Sequence, residues 1–182
     1  SGLLGGHSGG DIHLGRANAN KLIARFLWDC AQNHDIAVSE FNGGNLRNAI
    51  PREAYAIFGI HGELKEKVKE HLEKYVAEIR NEYAGVEPAM KFTVEEVAKP
   101  EYCIDAATSI ALVRALYSAP HGVYSMSRDL PGLVETSTNL AAVKMEADNI
   151  IKITTSQRSS VESRKNDIAH QVEAHFQLAG AR

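Results

Sequence analysis

His7 stands between two glycine pairs, Gly5-Gly6 and Gly9-Gly10, in the stretch GLLGGHSGGDIH from Gly2 to His13. Missing side chains on both sides of an imidazole let backbone or ligand approach closely and permit torsion angles that other residues avoid. An imidazole presented in this way is either a hydrogen-bond donor to a ligand oxygen or a satisfied loop histidine, and the stretch by itself leaves both open. Ser8 does not read as a nucleophile, since neighbours on a strand point to opposite faces and no G-x-S-x-G elbow is present. The glycines lack both the G-x-G-x-x-G order and the Lys-Ser/Thr ending of a phosphate-binding loop, which argues against nucleotide.

The eight histidines raise the question of a metal, which needs ligands at fixed spacing. His170, Glu173 and His175 give H-x-x-E-x-H, one residue too long for the inverted zinc motif, and histidines five apart diverge around a helix. His13, His34, His61, His71 and His121 have no carboxylate or cysteine at ligand spacing and read as surface or loop histidines. The expectation is that this chain supplies no metal ligands. The two cysteines, Cys30 and Cys103, lie in apolar helical patterns without C-x-x-C spacing and are expected to be buried, reduced thiols.

The elements that must position His7 follow from hydrophobic periodicity. Leu22, Ile23, Phe26, Leu27, Cys30 and Ala31 form one stripe of a helix over Asn18–Gln32, with Asn18 or Asn20 as its cap. Ile36–Phe41 and Glu53–Ile60 read as strands around the Asn42-Gly43-Gly44 turn and the polar segment NLRNAIP. Glu63–Tyr83 is an amphipathic helix, and Met90–Ala98 alternates around Phe92 and Val94 as a further strand. A helix over Ile104–Tyr117 precedes a breaker-rich loop, Ser118–Gly132. Leu133–Met145 and Ile150–Gln157 are strands joined by an Asp148-Asn149 turn, and Val161–Ala179 is a final helix ended by Gly180. This order predicts an α+β fold in which a mainly antiparallel sheet carries helices on one face. Two related halves, 1–99 and 100–182, would share that sheet, its other face left open for pairing.

Composition narrows the function classes. The 182 residues are 44% apolar and 24% charged, enough to bury a core, and 20 Lys plus Arg against 23 Asp plus Glu give no basic excess to gather phosphates. Nucleic acid and membrane are therefore not expected as partners, since no apolar run is long enough to cross a bilayer. The apolar opening at Ser1, without a polar lead-in, reads as though a segment preceded it.

GLLGGHSGGDIHLGRANANKLIARFL and FNGGNLRNAIPREA, with VETSTNLAAVKME and the closing helix, resemble the Xaa-His dipeptidases. These aminoacylhistidine dipeptidases are cytosolic members of the aminoacylase and carnosinase-like metallopeptidases. The resemblance covers essentially the whole chain and implies that family's lid or dimerisation domain alone. The family's H-x-D motif, its further zinc-binding carboxylates and late histidine, and its glutamate base have no counterpart here. The catalytic domain and its two zinc ions are thus expected elsewhere, with Ser1 and Arg182 as the points where the lid leaves and rejoins it. Leu3 departs from the wider family's G-x-x-x-H spacing, so the likeness rests on the group's own G-L-x-G-G-H-S-G-G pattern from Gly2.

The resemblance implies that His7 donates a hydrogen bond to the scissile carbonyl as it becomes an oxyanion, without binding metal. It implies that Asn48, in the N-x-I-P motif, helps hold the substrate's terminal carboxylate or backbone, where the alternative is a turn residue before Pro51. A guanidinium is expected nearby for bidentate carboxylate binding. Many relatives carry it on the strand after N-x-I-P, which has none here, so Arg158 is assigned, with Arg47 and Arg52 as alternatives. The expected partners are a dipeptide, the catalytic domain and a second copy of the chain, in the cytoplasm. A free-standing, non-catalytic module for dimerisation or small-ligand binding is the alternative from another class. Both readings predict an inert isolated chain.

Overall fold

Asn18 opens the first helix, α1 (Ala19–Asn33), by accepting on its side-chain oxygen from the backbone N–H of Asn20 at 2.9 Å and of Lys21 at 3.3 Å. That contact satisfies donors left orphaned at a helix start. The expected stripe is buried at Leu22, Phe26, Leu27 and Cys30. The computed structural model describes residues 1–146 and 149–182, so Asp148 of the expected Asp148-Asn149 turn lies outside the described residues.

Around α1 the described elements run β1 (Gly6–His7), β2 (Ala37–Gly43), β3 (Ala49–Ile50), β4 (Ala54–Gly59), α2 (Lys65–Glu82), α3 (Ala106–Ser118), β5 (Gly122–Met126), β6 (Val134–Glu146), β7 (Ile150–Ser159) and α4 (Glu162–Leu178). All pairings are antiparallel. β2 lies between β4 and β6, meeting β6 at Gly43 opposite Val143, while β6 pairs with β5 near its start and with β7 along its other side. β1 and β3 form a separate two-stranded ladder.

The fold is α+β, as expected. Val38, Phe41, Leu140 and Val143 of the sheet join Leu22 and Phe26 of α1, Val68, Tyr75 and Ile79 of α2 and Leu112 and Leu116 of α3 in one core, with Phe176 of α4 packed against it. Burial of this many large apolar side chains is the main stabilising contribution, at roughly 1.5–3 kcal/mol each. Lys21 ties α1 to α3 by donating to the carbonyls of Leu116 (3.0 Å), Ala119 (2.8 Å) and Tyr117, the acceptors that the helix end leaves free. Cross-strand partners share a face, so Ser137 opposite Arg158 and Asn139 opposite Ser156 point away from the core. That face is only partly open. The β1–β3 ladder covers it where Ser137 Oγ donates to the Ser8 carbonyl at 3.4 Å and Asn139 Nδ2 to that of Ala49 at 2.8 Å.

Four local expectations are corrected. Met90–Ala98 is not a strand, because it runs beside α2: Phe92 packs edge-on against Tyr75 and Glu96 pairs with Lys65, which leaves the segment without a ladder partner among the described residues. The breaker-rich loop contains β5, whose pairing with β6 supplies the hydrogen bonds that its five residues could not secure alone. Cys103 is exposed before α3, whereas Cys30 is buried, which pushes its thiol up to about 12. His121 stands in the loop ahead of β5 and is half-buried there. Asn18 Nδ2 lies 3.4 Å from its Nδ1, and burial, with Lys21 nearby, pushes the imidazole down to about 4. His71 is neither an exposed nor a loop residue, since it packs its ring against Phe26 from α2.

Candidate functional site

The glycine stretch and NLRNAIP are hydrogen-bonded to each other. Gly6 pairs with Ile50 and His7 with Ala49, and the ladder extends through the N–H of Ser8, which donates to the Asn48 carbonyl at 2.9 Å. After His7 the chain turns sharply, with the N–H of Asp11 donating to the His7 carbonyl at 2.9 Å and the N–H of His7 to Asp11 Oδ2 at 2.8 Å. Glycine is required at Gly6. Its φ of 141° strains any other residue, and an added Cβ would stand 2.6 Å from an Arg16 nitrogen and 2.7 Å from Asp11.

The His7 ring is exposed, yet one of its nitrogens is occupied. The N–H groups of Gly9 and Gly10 donate to Nδ1 at 3.2 and 3.0 Å. An Nδ1 that accepts must carry a lone pair, so the neutral ring bears its proton on Nε2. The turn thereby presents an N–H donor outward on a ring whose orientation the backbone holds. Ser8 beside it points inward, 1% exposed, its hydroxyl without a hydrogen-bond partner among the described residues.

Arg158 arrives from β7. Its Cδ would lie 2.9 Å from a Cβ on Gly9, and the His7 Cε1 3.2 Å from the same point, so arginine and imidazole flank the space that Gly9 leaves empty. Beside them opens a polar cavity of about 540 Å³ lined by Arg47, Asn48, Thr155, Ser156, Gln157 and Arg158. The fold therefore brings His7, Asn48 and Arg158 together from three distant parts of the chain, and adds Arg47. Arg52 is elsewhere, donating from Nε to the Leu3 carbonyl at 3.0 Å. A larger apolar cavity of about 940 Å³, between α2, β4 and the segment after Met90, contains none of the three.

An exposed imidazole N–H beside paired guanidinium groups and a carboxamide suits a ligand with a carboxylate and a carbonyl oxygen nearby. Among the described residues no group of three His, Cys, Asp or Glu side chains stands close enough to hold a metal ion. Asp11, which holds the backbone of His7, was readable as an acid four residues on. Ser137 and Asn139, which fix the ladder to the sheet, and Glu87, which accepts the N–H groups of Leu4 and Ala17, carry no local signal.

Residues 1–87 match the family described as the peptidase dimerisation domain. The whole chain is 38% identical, over 181 residues, to the cytosol non-specific dipeptidase of Escherichia coli (strain K12), covering 100% of this chain and 37% of that protein. It also superposes on the crystal structure of aminoacylhistidine dipeptidase from Vibrio alginolyticus with a TM-score of 0.96 and 38% identity, covering 100% of this chain and 37% of that one. The chain thus spans little more than a third of the length of these relatives. No helix among the described residues is long and apolar enough to cross a membrane.

Proposed function

We propose that the chain, whose residues 1–87 match the peptidase dimerisation domain family, serves as the lid and dimerisation domain of a cytosolic dipeptidase acting on Xaa-His dipeptides. The observation that carries this reading is the paired donation of the Gly9 and Gly10 N–H groups to His7 Nδ1, which leaves the Nε2 proton free beside a cavity rich in carboxylate-binding groups. Arg158, with Asn48 and Arg47, holds the terminal carboxylate of the dipeptide. His7 Nε2–H then donates to the scissile carbonyl oxygen as negative charge develops on it. A preoriented donor contributes most at that moment, because its ring does not have to reorganise.

Closure of the domain over a dipeptide orients the substrate and excludes water. The hydrolytic machinery, including the two zinc ions implied by the resemblance, belongs to residues outside this chain, and the isolated chain is inert. The names of the two relatives support a dipeptide as substrate, and the family supports pairing with a second copy.

The test is His7→Ala in the whole peptidase. Turnover should fall by about 10²–10³, the loss of roughly 2.7–4 kcal/mol that removal of one oxyanion donor causes, with bound zinc unchanged. Unaltered turnover, or loss of the metal, would reject the role.

A further inference from the structure

The segment carrying His7 hangs on a carboxylate about eighty positions away. Glu87 is 5% exposed and accepts two backbone N–H groups, from Leu4 on Oε2 at 2.7 Å and from Ala17 on Oε1 at 3.0 Å. Leu4 and Ala17 bracket the loop 5–16 that contains His7, Asp11 and Arg16. Within the loop, Arg16 donates to the Gly5 carbonyl at 2.7 Å and Asp11 receives the His7 N–H, so fixing the two ends fixes the imidazole.

Glu87 is itself immobilised. It follows α2, with its N–H donating to the Tyr83 carbonyl at 2.9 Å and its own carbonyl accepting from Met90. Among the described residues no lysine, arginine or histidine forms an ion pair with it, so two amide N–H groups are its support. An unpaired buried carboxylate is costly, and its stem packs no better than an apolar side chain would. What it offers here is two acceptor oxygens at one point, which neither glutamine nor an apolar residue supplies.

We infer that Glu87 is a positioning residue, whose buried carboxylate pins both ends of the His7 loop and so sets where the Nε2–H donor stands. The inference rests on the reading of His7 given above. In Glu87→Gln one acceptor becomes an NH₂ group facing an N–H, one end of the loop is released, and a donor displaced by a fraction of an ångström no longer meets the developing charge.

The experiment is a double-mutant cycle in the whole peptidase with H7A, E87Q and the pair, reading kcat and KM for one dipeptide. E87Q should lower kcat by about tenfold or more and leave KM nearly unchanged, because the carboxylate-binding cavity draws on other segments. In the H7A background E87Q should cost nothing further, since the donor it positions is already gone. If E87Q does not accumulate as folded protein, Glu87→Asp, whose shorter stem draws the carboxylate back from the two amides, carries the same cycle. An H7A variant with parental kcat would reject the role of His7. Loss of kcat in H7A, with E87Q either silent or equally costly in both backgrounds, would overturn the inference on Glu87 while leaving His7 intact.

Discussion

Gly9→Ala separates substrate binding from folding. The added methyl carbon would sit 2.9 Å from Arg158 Cδ, 3.3 Å from its Nε and 3.2 Å from His7 Cε1. Carbon atoms pack at about 3.5–4.0 Å, so the exposed arginine has to retreat by roughly 0.6–1.1 Å and the His7 ring by roughly 0.3–0.8 Å, which lowers kcat for both substrates alike and leaves KM as the readout of the arginine. The backbone need not suffer. Gly9 lies outside the left-handed region, and alanine keeps the N–H that donates to His7 Nδ1. A Gly→Ala exchange of this kind shifts stability by only about 0.4–1 kcal/mol, in the favourable direction, through the unfolded chain. A guanidinium moved out of reach of a carboxylate, by contrast, forfeits a charge-assisted contact of about 1.5–3 kcal/mol, a rise in KM of about tenfold or more. The assay compares a dipeptide bearing a free carboxylate with the same dipeptide amidated at its C-terminus, for the parent, Gly9→Ala and Gly10→Ala in the whole peptidase. Gly10→Ala is the control, because its Cβ would meet His7 Nδ1 at an ordinary 3.6 Å. Gly9→Ala should raise KM for the acid alone. An unchanged KM, or an equal rise for the amide, would refute the placement of the carboxylate at Arg158.

Two further outcomes test the interior. His121 is held at about 4 when folded, by burial and then by Lys21, against 6.5 when unfolded, so the unfolded chain binds more protons between those values. Stability should be complete above pH 6.5 and decline as pH falls towards 4, by at most about 3 kcal/mol; His121→Gln should flatten that slope in denaturant titrations, and equal slopes would count against it. Ser8→Ala should leave turnover unchanged and thermal stability equal or up to about 1 kcal/mol higher, because the buried hydroxyl has no partner to lose. A large drop in turnover would mean that Ser8 takes part in the chemistry.

Much of the framework was legible because it is local. Asn18 ahead of the Leu22, Phe26, Leu27, Cys30 stripe states where α1 begins and which face it buries, and Leu133–Met145 reads as the strand that became β6, although nothing local announces that its polar run Thr136–Asn139 is buried. The glycines around His7 announced a presented imidazole, and the ring is exposed. The α+β class followed from the order of such elements.

Where periodicity was the only guide, packing could reverse it. Phe92 and Val94 alternate like a strand, but Phe92 found Tyr75 of α2 instead of a ladder partner. Gly122–Met126 looked like loop between breakers until β6 supplied its pairing. The amino-acid order by itself determined which residues were available for chemistry, the elements that carry them and the room that glycine leaves. Tertiary structure alone decided that His7, Asn48 and Arg158 stand near one another, through the pairing of β1 with β3 and of Ser137 with Arg158, and that Glu87 reaches both ends of the His7 loop. Periodicity reports which way a side chain faces within its own element. Which distant segment meets it depends on register and on burial of the whole core, and neither is a property of any local stretch.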